Sequence, residues 1–207
     1  MREIKLPISD EDVRSLKVGE PILLSGVMLT GRDAVHKWMI DTFIRNNKTP
    51  TEDDLEVYEA IKPLLNQGVI YHCGPVVTGL ETGDYKFVAA GPTTSIREEP
   101  YQGEVMAHFN IKGVIGKGGM GDKTLAACQE VPGVYMHAIG GAATLIAQSV
   151  KQVLGVYKLD LGVPEAIWVI EVEKFPVVVT MDANGNSLHK NIQSSSKEIL
   201  PKLGIPA

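Results

Sequence analysis

The stretch that decides the fold is GVIGKGGMGDKTLAACQ, running from Gly113 to Gln129. It opens on a short apolar run, Gly113–Ile115. It then crosses the glycine-rich turn Gly116-Lys117-Gly118-Gly119-Met120-Gly121 and continues from Asp122 to Gln129 with helical spacing. A strand, a glycine turn and a helix in that order make half of a strand–helix–strand unit. The flanks repeat the theme. Upstream, Tyr85–Ala90 reads as a strand leading through Gly91-Pro92-Thr93-Thr94-Ser95 into a helix. Downstream, Gly133–Ala138 reads as a strand leading through Gly140-Gly141-Ala142-Ala143 into a helix through Leu154. Its stripe Leu145, Ile146, Val150, Val153 and Leu154 is read as a core face. Three such units predict an α/β core with at least partly parallel strands.

Further out the rhythm changes. Ser9-Asp10-Glu11-Asp12 reads as the start of a short helix ending near Lys17. Pro21–Thr30 is a strand-like run, followed by a helical pattern over Arg32–Arg45. Thr51 with Asp54 resembles a capping box, opening a helix through Leu65 that Gly68 ends. Val69–Val77 reads as one strand. In the tail, Ile167–Glu173 and Pro176–Met181 read as strands, Asn184-Gly185 as a hairpin turn, and Leu188 as the start of a return strand. The expected fold is α/β, a single mixed domain over residues 1–207.

The 207 residues carry a net charge of −5, with 44% hydrophobic and 22% charged residues. That excludes wholesale disorder and argues against a protein that tracks phosphates through a basic surface. No run approaches the roughly 18 apolar residues of a membrane span, and Met-Arg-Glu-Ile-Lys leads into polar sequence. The expectation is a cytoplasmic protein. Two cysteines, Cys73 and Cys128, lack C-x-x-C spacing and read as small apolar core residues.

Gly116–Gly121 contains a literal G-x-G-x-x-G. A dinucleotide site also needs a carboxylate about 20 residues on, at the end of the next strand. Met136–Gly140 has none. A P-loop fails too, because Asp122 separates Gly121 from Lys123-Thr124. What remains open is a plain tight turn or a cradle for a small anion, with Lys117 as a point charge. Arg32 and Arg97 follow two other turns, and in parallel α/β sheets such turns gather at the carboxyl ends of the strands. Two guanidiniums and an ammonium converging there suit a small dicarboxylate. No histidine spacing indicates a metal site, and no Ser sits in a nucleophile elbow. His36 shares a helical face with Arg32.

Several segments, taken in order, resemble one family. They are Leu24-Ser25-Gly26, Thr30-Gly31-Arg32-Asp33-Ala34-Val35-His36-Lys37, Gly91-Pro92-Thr93-Thr94-Ser95-Ile96-Arg97, Gly116-Lys117-Gly118-Gly119-Met120, Gly140-Gly141-Ala142-Ala143 and Glu171-Val172-Glu173-Lys174-Phe175-Pro176. Together they resemble the C-terminal region of class I iron–sulfur fumarases and the β subunit of L-tartrate dehydratase. Glu98-Glu99 depart from the Met-Asp expected after Arg97, and Asn46–Asn66 resembles an inserted helical segment.

The resemblance implies a swivelling β/β/α fold and a hydro-lyase, with fumarate hydration as the leading activity and tartrate dehydration as its nearest rival. It implies a [4Fe-4S] cluster held by three cysteines of a partner α subunit in a hetero-oligomer, with this chain holding no metal. By the same resemblance Arg32, Arg97 and Lys117 bind substrate carboxylates and Thr93 handles the proton. Asp33, His36 and Thr94 stand behind them, with His36 as the competitor for the proton. From another class, a non-catalytic module binding dicarboxylates is the alternative.

Overall fold

The computed structural model describes residues 1–203. β1 (Arg2–Lys5) is followed by α1 (Asp10–Ser15), whose first turn is capped by the Ser9 side chain. β2 (Pro21–Thr30) leads into α2 (Asp33–Met39), which widens into a π-helical turn over Ile40–Ile44. α3 (Glu52–Leu65) carries the expected capping box of Thr51 and Asp54. Then come β3 (Val69–Tyr71), β4 (Val76–Thr78), β5 (Lys86–Ala89), α4 (Gln102–Phe109), β6 (Gly113–Gly116), α5 (Asp122–Glu130) and β7 (Val134–His137). α6 (Ala143–Ala147), β8 (Val150–Tyr157), β9 (Ile167–Met181) and α7 (Leu188–Ile199) complete a single mixed α/β domain.

The main sheet orders its seven strands β1-β2-β3-β6-β7-β9-β8, and β2 also pairs with β9. The ladders β2–β3–β6–β7–β9–β2 therefore close on themselves. Within this ring β2, β3, β6 and β7 run parallel, whereas β9 lies antiparallel to both β2 and β7. β2 serves two neighbours on one side: β1 pairs with Ile22–Ser25, and β3 takes over at Leu29 and Thr30. The register shift beside Gly26 makes that change possible. Gly26 has a φ of 129°, and a side chain there would press on Leu6.

Side chains alternate between two cores, as the period of a strand requires. Val69, Tyr71, Ile115, Val134 and Met136 fill one core, together with Trp168 and Phe175. Ile70, Val114 and Tyr135 face the other, which α2, α3, α4 and α5 cover through residues such as Met39, Ile61, Val105 and Leu125.

Four sequence expectations need correction. Tyr85–Ala90 does not open a parallel unit: β5 pairs only with β4, in a separate two-stranded sheet. Val69–Val77 is two strands, because the chain leaves the sheet at His72. The helix read through Leu154 stops at Ala147, and β8 follows. The β-branched residues Val150, Val153 and Val156 pair along β9; Ile146 lies in the core and Val150 and Val153 pack against it, but Leu145 and Leu154 are 64% and 48% exposed, so the stripe is core only in part and not one helical face. Finally, Leu188 begins a helix. The Asn184-Gly185 turn forms, but Ser187 makes a single bridge to Met181 and then caps α7 with its side chain. No helix among the described residues is long and apolar enough to cross a membrane.

Candidate active site

The ladder between β3 and β6 is parallel up to Tyr71 and Ile115. Just beyond, the two chains part, and the segment Pro92–Ser95 inserts between them. Thr93 N–H donates to the His72 carbonyl (2.8 Å), Lys117 N–H donates to the Thr93 carbonyl (3.0 Å), and Ser95 N–H donates to the Lys117 carbonyl (3.0 Å). Cys73 and Pro92 form a bridge on one side, Thr94 and Lys117 on the other. Gly116 has no room for a side chain, since a Cβ would run into Ser95 Oγ. Thr93 and Lys117 are thus fixed side by side through the backbone, at the carboxyl ends of the parallel strands.

Thr93 itself caps no helix. Thr94 occupies the cap position of the following 3₁₀ turn, Ser95–Glu98, without a side-chain hydrogen bond. The Thr93 hydroxyl is buried and has no hydrogen-bond partner among the described residues. A buried hydroxyl left in this state costs free energy, which a helix cap would have avoided.

Arg97 lies in the same 3₁₀ turn and pairs with Asp33 in the first turn of α2. Arg32 precedes Asp33 at the end of β2. Its guanidinium lies 3.2 Å from Glu165 and packs over Gly74. Asp33, Ala34, Lys37, Arg97, Tyr101 and Glu165 line an open cleft of about 590 Å³. Of the two expected arginines, Arg97 lines this cleft and Arg32 pairs with Glu165 of its lining, so each has a carboxylate of the protein against it; Thr93 and Lys117 are not part of that lining. Asp33 is one of those carboxylates. Lys117 makes no ion pair among the described residues, and its stem lies near Gly140.

The two glutamates after Arg97 do different work. Glu99 turns toward α5 and accepts hydrogen bonds from Gly121 N (2.8 Å), Lys123 N (2.9 Å), Thr124 N (3.3 Å) and Thr124 Oγ1 (2.7 Å). The positive end of α5, one candidate cradle for an anion, is thereby filled by the protein's own carboxylate. Glu98 is 1% exposed. Burial first, and then the neighbouring Asp33 carboxylate, push its carboxyl up to about 8, so it holds a proton at neutral pH.

His36 is fully buried with both ring nitrogens engaged. Nδ1 lies 3.0 Å from the Arg32 carbonyl and Nε2 lies 3.0 Å from Gln102 Oε1. Burial lowers its pKa. No nitrogen of His36 is left to face the cleft. His72, Ser95, Gln102 and Tyr135 extend this buried network. Sequence reasoning passed over Glu165 and Gln102, and it met Ser95 only as the end of the Gly91–Ser95 turn. No local pattern marks them, because each acts on a residue distant in the chain.

Cys73 and Cys128 are buried, in separate cores, with both thiols pushed up to about 12 chiefly by burial. Cluster and metal ligation need thiolates. These two thiols do not fit a [4Fe-4S] cluster, and among the described residues no three His, Cys, Asp or Glu side chains gather to hold a metal ion.

The family model described as Fumarase C-terminus matches residues 1–192. The chain belongs to this family. One family member from Geobacillus stearothermophilus, named "Putative fumarate hydratase class I", is 47% identical over 203 residues, which cover 98% of this chain and 36% of that protein. The chain thus spans about a third of that relative's length. The Escherichia coli K12 protein named L(+)-tartrate dehydratase subunit beta is 36% identical over 184 residues, covering 88% of this chain and 83% of that subunit.

Proposed function

We propose that this chain is the β subunit of a class I fumarate hydratase, which adds water reversibly to fumarate to give L-malate at a site shared with an α subunit. The arrangement of a closed strand ring backed by helices fits the swivelling β/β/α fold that the family resemblance implies. The observation that carries the reading is the Thr93 hydroxyl, buried and unpartnered among the described residues, on a backbone held between His72 and Lys117. The 47% identity to the fumarate hydratase-named relative favours fumarate.

In this reading the [4Fe-4S] cluster belongs to the α subunit and supplies Lewis-acid chemistry there; this chain's thiols take no part in it. Arg32 and Arg97 exchange their internal carboxylates, Glu165 and Asp33, for those of the substrate. Removing a proton next to a carboxylate builds negative charge on that carboxylate, and fixed guanidiniums stabilise it without rearranging. Thr93 Oγ1 holds the transferred proton. An alcohol is a weak base near neutrality, so the cations Arg97 and Lys117 must favour its deprotonated form. The geometry ranks Thr93 ahead of His36, whose two nitrogens are already engaged.

A second reading, the β subunit of L-tartrate dehydratase, is favoured by the match to nearly the full length of the Escherichia coli subunit. Fumarate and tartrate differ in hydroxyl groups, and a site built to hydrogen-bond a hydroxyl discriminates strongly against a substrate lacking it. One experiment separates these readings: mix the purified chain anaerobically with its α partner and assay both substrates. The chain alone is expected to be colourless and inactive, and the mixture to hydrate fumarate until exposed to air. Faster turnover of tartrate transfers the chain to the second reading. Full activity of the chain alone, without iron, ends the shared-site reading. Dicarboxylate binding with no turnover in the mixture leaves a binding module.

A further inference from the structure

The buried network behind the cleft contains a hydrogen-bonding conflict that identifies its central residue. Gln102, the first residue of α4, is fully buried. Its Oε1 lies 3.0 Å from His36 Nε2 and 2.9 Å from His72 Nε2, while its Nε2 has no partner among the described residues. The two imidazoles stand edge to face, with ring centroids 5.1 Å apart. An oxygen between them needs a proton on Nε2 of each ring. His36 needs a second proton on Nδ1, because the only partner there is the Arg32 carbonyl, a pure acceptor. That would make His36 a cation in a fully buried site, which burial opposes.

Turning the amide over removes the conflict. The NH2 group then offers one proton to each Nε2, which matches its two donors to two acceptors. His36 keeps its proton on Nδ1 for Arg32. His72 keeps its own on Nδ1 and donates to Ser95 Oγ at 2.8 Å, where the Tyr135 hydroxyl also donates, at 2.9 Å. Both rings are neutral, and the group left without a protein partner is a carbonyl oxygen, less costly than an unpaired NH2.

We propose that Gln102 is a positioning residue, its NH2 group donating to both His36 and His72 and so tying the Arg32 end of α2 to the Thr93–Ser95 segment. Each arm ends on a candidate site residue. His36 holds the carbonyl of Arg32. His72 holds Ser95 through its ring and Thr93 N–H through its carbonyl. One amide thereby sets the distance between the residue that binds substrate and the residue that moves the proton. The positioning role rests on the functional reading above; the hydrogen-bond assignment does not.

The test has two independent readouts. Ring nitrogen NMR of the full chain near neutral pH is expected to show His36 and His72 neutral, each protonated on Nδ1 and bare on Nε2. A proton on Nε2 of His36 overturns the assignment and the proposal with it. In the assembled enzyme, Gln102→Leu is expected to raise KM about 10-fold through the Arg32 arm and to lower kcat several-fold through the Thr93 arm. A folded Gln102→Leu enzyme with unchanged KM and kcat, altered only in melting, overturns the positioning role. If that variant does not fold, Gln102→Glu serves. Its carboxyl can donate one proton at most, so His36 or His72 must take up a proton on Nε2, and a variant with both rings still neutral and bare on Nε2 overturns the proposal. If wild-type enzyme hydrates no dicarboxylate, the functional reading and the positioning role fall together, while the ring protons still decide the assignment.

Discussion

Two turns meet at the end of the parallel strands, and they look alike in sequence but not in chemistry. Gly116–Gly121 has the richer glycine pattern and the helix behind it, yet the donors at that helix start are already satisfied by Glu99. Gly91–Ser95 has the plainer pattern and only a 3₁₀ turn behind it, yet it leaves the Thr93 hydroxyl unused. Capacity for chemistry follows from which polar groups the fold leaves unsatisfied, and glycine spacing alone does not report that. The first turn is held together; the second is held ready.

The sharpest way to break this contrast is Thr93→Ala, with Thr94→Ala as its internal control. Loss of the proton-holding group is expected to cut kcat by roughly 10²–10⁴ while substrate still binds and melting hardly moves. Thr94→Ala should change little. Normal exchange of the substrate C–H proton with deuterated solvent in Thr93→Ala would return Thr93 to a structural role. Next in size, Arg32→Lys and Arg97→Lys each keep the charge but lose the two-pronged geometry. A charged hydrogen bond is worth about 1.5–3 kcal/mol, so kcat/KM should fall roughly 10- to 150-fold without unfolding. Near-normal values for both would remove the dicarboxylate clamp.

Glu99→Ala probes the other turn. It should cost about 1.5–3 kcal/mol of stability, a melting drop of roughly 3–12 °C, with a smaller effect on turnover than Thr93→Ala. A turnover loss larger than that of Thr93→Ala would reverse the contrast. At Glu98 the expected effect falls on melting alone and depends on pH. Its carboxyl is raised from 4.5 to about 8 in the folded chain, so its contribution to stability is full below about pH 4.5 and lost as pH climbs through 8. Glu98→Gln mimics the protonated form at every pH. It should melt like wild type near pH 4.5 and above wild type at pH 8–9; parallel melting curves across that range would mean that the Glu98 carboxyl is not raised in the folded chain.

Local signals proved sound wherever local chemistry decides the structure. The Thr51–Asp54 capping box and the strand Pro21–Thr30 were legible because each depends on neighbours in the chain. The stretch from Val150 to Leu154 misled, since helical spacing and a valine-rich strand share the same residues and the choice falls to pairing with β9. Within the site, the resemblance picked out Arg32, Asp33, Thr93, Arg97 and Lys117; the fold joins Thr93 to Lys117 through the backbone and Arg97 to Asp33 through an ion pair, while Arg32 pairs with Glu165. The carboxylates that oppose the arginines and the Gln102 network were illegible. Contacts such as His36 with Gln102 span 66 residues and leave no periodic trace.

The closed ring of strands also dictates when this site can exist during synthesis. β2 leaves the ribosome long before its antiparallel partner β9, which begins only at Ile167. Until that strand emerges, β2 and β7 each lack a neighbour that the finished ring provides, and Thr30 lacks its contacts with Ala166 and Trp168. Pairings of such long sequence separation form late and slowly. A nascent chain stalled before Ile167 would carry every residue named at the cleft without the hoop that holds them, and its open strand edges would be exposed to chaperones and to neighbouring chains.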